Sequence, residues 1–239
     1  MSAKAKHIML EVNSLDTFYG KAQILFNLTL AVQAGEIVAL IGRNGAGKTT
    51  TFKSIMNLVP AKSGKISFKH QSIYHLPSYK ICKQGLGYTP EDRRIFTKLT
   101  VMENLEAWKQ PPRRDFKPWT PEQLFELFPN LAEKRHQDGG TLSGGEQQML
   151  TIARSLMGNP EMIILDEPFE GLAPMIVKQL ARTIHQLKDQ GVSVLLSEQN
   201  LNVARLICDR AYIIHRGGIR HESPIDTLSS DQYEKYCSV

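Results

Sequence analysis

Apolar residues run together or alternate with polar ones over residues 7–12 and again over residues 24–32. That is the period of strands, and Tyr19-Gly20 marks the turn between them. Gly35 breaks the chain before Glu36-Ile37-Val38-Ala39-Leu40-Ile41, whose unbroken apolar run fits a parallel strand covered on both faces. A glycine-rich turn follows, then a helical stretch from about Lys48 to Leu58 that Pro60 closes. Two further buried strands, residues 162–165 and 192–196, flank a helical stripe of Ile176, Val177, Leu180, Ile184 and Leu187 that ends near Gly191. Strand, helix, strand in that order predicts a parallel sheet.

The middle of the chain has a different texture. Thr100 and Glu103 have the spacing of a capping box at the head of a helix over residues 100–108. Thr120-Pro121-Glu122-Gln123 repeats the signal with proline at the first helical position. Pro111, Pro112 and Pro118 separate the two helices, so residues from about 92 to 150 read as a helical insert in an α/β core.

Composition changes this picture little. With 239 residues, 41% of them hydrophobic, the chain has material for one large α/β domain or one domain with a small insert. No apolar run approaches the roughly 18 residues that span a bilayer. The stretch 1–10 holds only Ile8-Met9-Leu10 as an apolar segment, too brief for the core of a signal peptide, so a cytosolic chain is expected. Cys82, Cys208 and Cys237 match neither a disulfide framework nor a zinc pattern, and each reads as a small buried hydrophobe. The formal charge of +5 suits nucleotide phosphates, an anionic membrane face or plain solubility, and discriminates among none of them.

Candidate chemistry begins at Gly42-Arg43-Asn44-Gly45-Ala46-Gly47-Lys48-Thr49, which fits the Walker A pattern. Glycines let successive backbone N–H groups face phosphate oxygens, and the following helix, with Thr50 in its first turn, adds its N-terminal partial charge. Lys48 places a cation against β- and γ-phosphates, and the Thr49 hydroxyl is a ligand for Mg²⁺. Met162-Ile163-Ile164-Leu165-Asp166-Glu167 is the matching Walker B strand. It delivers two adjacent carboxylates to the C-terminal edge, where open α/β sheets bind ligands. Asp166 is expected to hold Mg²⁺, and Glu167 to act as general base on the attacking water. In Leu142-Ser143-Gly144-Gly145-Glu146-Gln147, Ser143 and Glu146 again have capping-box spacing. Two glycines weaken a first turn unless something must approach the backbone closely, which suggests a second anion site.

On these motifs the chain resembles the ABC transporter ATPases, over nearly its whole length. The resemblance implies a RecA-like P-loop core, here about residues 1–91 and 155–239. It also implies an N-terminal antiparallel β-subdomain, and a helical subdomain over about 92–154 that carries the signature. It implies that Ser143, Gly144, Gly145 and Glu146 bind the γ-phosphate of an ATP held by a second ATPase subunit, and that Tyr19 stacks on adenine. Permease subunits, an indirect periplasmic binding protein and a place at the cytoplasmic face of a bacterial inner membrane follow as expectations, with ATP and Mg²⁺ as ligands. No nucleic-acid partner is expected. The soluble members that act on DNA or ribosomes usually carry two such domains or a long coiled-coil insert, and neither is present. A non-catalytic phosphate-binding regulator would have no use for Glu167.

Longer stretches resemble one subgroup, the ATPases of branched-chain amino acid importers, with urea-importer ATPases similar to it. They are Pro90-Glu91-Asp92-Arg93-Arg94-Ile95-Phe96, Leu99-Thr100-Val101, Glu103-Asn104-Leu105, Glu126-Leu127-Phe128-Pro129, Gly145-Glu146-Gln147-Gln148-Met149-Leu150, Gly171-Leu172-Ala173-Pro174 and Glu198-Gln199-Asn200. Three positions depart from the general family pattern. Glu91 stands where a glutamine usually links metal site and insert, and it either joins the metal's shell or swings away. Ala173 replaces an aspartate, and Gln199 occupies the place of the switch histidine, with an amide that does not titrate near neutrality. Together they lead us to expect a heterodimer in which the site built on this Walker A is the slower one.

Overall fold

The computed structural model describes residues 7–111 and 118–238. Pro112 and the first residues of the chain, both read above, lie outside the described residues, as does the side chain of Cys237.

The chain opens with a long antiparallel hairpin, β1 (Ile8–Tyr19) and β2 (Ala22–Gln33). Pairing continues to Tyr19↔Ala22, so Tyr19 ends a strand and the turn is Gly20-Lys21. Gly20, at φ 59°, supplies the left-handed residue that so tight a turn needs. The alternation lapses after Val12 because Ser14, at φ 50°, bulges out of the ladder, a kink within the strand that looks in sequence like its end.

Next come β3 (Ile37–Ile41), α1 (Lys48–Ile55), β4 (Ala61–Phe68), β5 (Gln71–Ser72), α2 (Ser78–Gln84) and β6 (Leu86–Thr89). The helical segment contributes α3 (Val101–Glu106), α4 (Pro121–Leu127), α5 (Pro129–Glu133) and α6 (Gly144–Leu156). Both expected capping boxes are closed, Thr100 with Glu103 and Thr120 with Gln123. The chain then alternates through β7 (Met162–Leu165), α7 (Pro174–Asp189), β8 (Ser193–Glu198), α8 (Leu201–Arg205), β9 (Arg210–His215) and β10 (Gly218–Pro224), and ends in α9 (Ser230–Ser238).

Two sheets result. The smaller has the order β2-β1-β4-β5 and is antiparallel; the larger has the order β10-β9-β3-β8-β7-β6 and is parallel except for the edge strand β10. Alternation along the buried strands divides the interior. Ile37, Ala39, Ile41, Ile163 and Leu165 face a core shared with α3 to α8, while Val38, Leu40, Met162 and Ile164 face one shared with the small sheet and α1. A strand apolar on both faces is what such a double burial requires. Cys208 is buried as expected and its thiol is pushed up by that burial. Cys82 is exposed, because α2 turns Ile81 inward and the next residue outward.

Candidate active site

The turn from β3 into α1 is shaped by what its glycines lack. A Cβ on Gly42 would stand 2.5 Å from the Ile214 carbonyl, and Gly47 caps the helix at φ 111°. Neither place admits a side chain. Lys48 folds back over this turn, donating to the carbonyls of Gly42 at 2.9 Å and Arg43 at 3.2 Å. Its Nζ also meets Glu167 Oε1 at 3.0 Å, a buried ion pair. Asn44 and Gly45 are exposed at the tip of the loop, Ala46 and Thr50 are buried, and Thr49 is half-buried.

Strand order brings the second motif to the first. β8 lies between β3 and β7, with Ile41 opposite Glu198 and Leu165 opposite Leu196. Residues at the end of β8 therefore stand between the two phosphate-site motifs. Asp166 is fully buried and accepts three hydrogen bonds: from Thr49 Oγ1 at 3.1 Å, Ser197 Oγ at 2.8 Å and the Tyr88 hydroxyl at 3.3 Å. Burial raises its pKa, against the lowering effect of those donors. Burial beside this carboxylate pushes the Tyr88 phenol up.

Glu167 has a left-handed backbone, φ 45°, and its N–H donates to Ser197 Oγ at 2.7 Å. A non-glycine residue with that φ persists only where surroundings hold it, and Ser197 grips its amide directly. The Gln199 amide donates to Glu167 Oε2 at 2.8 Å. Burial pushes the Glu167 carboxyl up, but hydrogen bonds from Glu170, Gln199 and Lys48 outweigh it and leave the group below its usual range. Glu170 shows the reverse: hydrogen-bonded to Glu167, partly desolvated and near the negative charges of Glu167 and Glu91, its carboxyl is raised to about 7. Glu91 itself is exposed, past the end of β6.

The remaining candidates are held apart from this cluster. Ser143 caps α6, its hydroxyl donating to Glu146 Oε2 at 2.8 Å and accepting from the Glu146 N–H at 3.4 Å, while Lys134 pairs with Glu146 at 2.8 Å. Ser143 and Gly144 are exposed. A Cβ on Gly145 would stand 3.1 Å from Ile176 Cγ2, so packing against α7 favours that glycine independently of any ligand. Tyr19 presents an exposed ring, 47% accessible, at the end of the small sheet.

Ser197, Tyr88 and Glu170 were not singled out from sequence. Ser197 had one signal, a lone hydroxyl in the buried run Val194-Leu195-Leu196-Ser197. Nothing in the sequence could say that its partners are Asp166 and Glu167, 31 and 30 residues earlier.

Comparison with known proteins bears on this cluster. Residues 25–170 match the family described as ABC transporter. The chain is 44% identical over 211 residues to the high-affinity branched-chain amino acid transport ATP-binding protein BraG of Pseudomonas aeruginosa, covering 88% of this chain and 91% of that one. It is 37% identical over 231 residues to the lipopolysaccharide export system ATP-binding protein LptB of Escherichia coli, covering 95% of each. Among solved structures it superimposes on an ATP-binding subunit of an ABC transporter with TM-score 0.82 and 28% identity, covering 97% of this chain and 100% of that one. The ADP conformation of the ATP-binding cassette MJ1267 gives TM-score 0.80 at 24% identity, covering 97% and 95%.

Proposed function

The chain belongs to the ABC transporter family as an ATP-hydrolysing subunit, and from that membership we propose that it powers a bacterial importer of branched-chain or related amino acids. The observation that carries the import reading is the 44% identity with BraG over nearly the whole of both chains. A lipopolysaccharide-export reading is the second, supported by the 37% identity with LptB over 95% of each chain. Urea importers, similar in motif, differ from the first reading only in the solute.

At the site, backbone N–H groups of residues 42–47 and the head of α1 receive the β- and γ-phosphates of ATP. Lys48 adds the cation. Thr49 Oγ1 and the Asp166 carboxylate converge as hard oxygen donors, a set that fits Mg²⁺. The ion, when bound, neutralises charge on the transferred phosphoryl group. Glu167 takes the proton of the attacking water, held in place by the Gln199 amide on one carboxylate oxygen once the phosphate draws Lys48 from the other. Glu91, on the exposed side, acts through the local charge it adds near Glu170. Tyr19 offers a flat ring to adenine.

Ser143, Gly144, Gly145 and Glu146 complete the site of a second ATPase subunit, whose own signature completes this one. The departures at Glu91, Ala173 and Gln199 favour a heterodimer with this site the slower. The membrane partner docks in a groove of about 780 Å³ between α2 and the helical segment, where Leu58, Tyr79 and Trp108 stand exposed. No helix among the described residues is long and apolar enough to cross a membrane. Membership in a transporter family supports attachment through the permeases, at the cytoplasmic face of the inner membrane. A periplasmic binding protein would deliver the solute to them.

Deleting the gene and measuring uptake of radiolabelled leucine, isoleucine, valine and urea separates these readings. Lost uptake of the branched-chain amino acids supports import. Unchanged uptake with lipopolysaccharide retained at the inner membrane supports export instead.

A further inference from the structure

The last helix, α9, touches the active site at two points that the motifs do not cover. The Tyr233 hydroxyl donates to the backbone carbonyl of Gln199 at 2.9 Å. Its neighbour Glu234 reaches Arg43 in the phosphate loop at 3.3 Å, an exposed pair of little energetic weight. The helix is fastened independently of both. Ser229 and Gln232 cap its start reciprocally, at 2.9 and 3.1 Å. One turn beyond Tyr233, Tyr236 stacks on His221 of β10, rings 4.6 Å apart and 10° from parallel. Tyr233 and Tyr236 are three residues apart and therefore share a helix face, and both pack on the core that α3 to α8 share.

Gln199 is thus held at three points. Its N–H donates to Glu198 Oε1 at 2.8 Å, its carbonyl accepts from Tyr233, and its side-chain amide donates to Glu167 Oε2 at 2.8 Å. The first two bonds sit on either side of the residue and orient its backbone, and a short side chain with three torsions then has few ways to reach the carboxylate. We propose that Tyr233 is a positioning residue for ATP hydrolysis: its hydroxyl fixes the Gln199 backbone and so sets the reach of the Gln199 amide to Glu167. This rests on the reading of Glu167 as the base and Gln199 as its neighbour at the γ-phosphate end.

The test is a double-mutant cycle in the assembled transporter, reading kcat, KM for ATP and Tm. Tyr233→Phe removes one hydroxyl and leaves the ring packed. It is expected to lower kcat about fivefold, the worth of one hydrogen bond, with KM and Tm little changed. In a Gln199→Ala background, where no amide remains to be aimed, the same change is expected to do nothing further. Tyr236→Phe, which keeps the stacked ring, is expected to leave kcat at the wild-type level. An equal loss from Tyr233→Phe in both backgrounds, an equal loss from Tyr236→Phe, or no loss at all would overturn the proposal. A normal kcat in Gln199→Ala alone would instead remove the underlying reading of Gln199, and the proposal with it.

Discussion

Lys48 and Glu167 form an ion pair 3.0 Å across, with side chains only 3% and 9% exposed. The cation we propose for phosphate and the carboxylate we propose for water are thus each other's partners. A γ-phosphate arriving at Lys48 competes with Glu167 for it, and the carboxylate keeps the Gln199 amide as its other anchor.

Glu167→Gln preserves the shape of this arrangement and removes its base. Turnover at this site is expected to fall by about 10² to 10⁴, the span of general-base contributions. ATP should be retained more strongly, because Lys48 no longer has a carboxylate competing for it. Phosphate release and nucleotide retained through gel filtration check both. Wild-type turnover would show that the proton leaves by another route.

Ser197→Ala would leave the Glu167 N–H without its acceptor and Asp166 with one donor fewer. Stranding a buried polar group costs about 1–3 kcal/mol. Urea unfolding should show a loss of that order, and hydrolysis should slow as well, since Glu167 sits at φ 45° against that hydroxyl.

Gln199→His replaces an amide with a group that titrates near neutrality. Its imidazolium would stand beside Glu167 at low pH and lose that charge as pH rises through about 6.5. The expected result is an altered ATPase rate in the assembled complex, with a pH dependence across roughly 5.5 to 7.5 added to the one Glu170 gives the wild type. Glu91→Gln should change the rate too, by removing a charge that acts on Glu170.

Glu170 predicts a pH effect on stability. Its folded pKa, about 7, is raised above the ordinary 4.5, so the folded chain holds the proton more tightly than the unfolded one. The stabilisation is complete below 4.5 and is lost as pH rises through about 7. Glu167 has the opposite sign: its pKa is lowered, and its contribution is lost as pH falls below the usual carboxylate range. Glu170→Gln should therefore flatten the Tm profile between about pH 4.5 and 7 while leaving the acid limb in place. An unchanged slope would mean that Glu170 does not hold that proton.

Much of the site was legible along the chain because its parts are local. A glycine turn between strand and helix, two carboxylates after four apolar residues, and a capping box are each contained in eight residues or fewer. Local backbone geometry needs only local residues. Among the strands missed from sequence, β4 and β6 are each interrupted by glycine: a Cβ on Gly64 would stand 2.8 Å from Leu15 Cα in β1, a closeness with no periodic signature. The bulge at Ser14 likewise broke the alternation of a strand that in fact continues to Tyr19.

What the sequence determined by itself was the family and its ATPase chemistry, since each rests on short motifs whose meaning is their own backbone. Only the tertiary structure decided the company those residues keep. That β8 runs between β3 and β7 follows from how crossover helices cover the sheet's two faces, and it is this order that sets Ser197 against Asp166 and Gln199 against Glu167. Hydrogen bonds reach about 3 Å, whereas these partners lie some thirty residues apart in the chain.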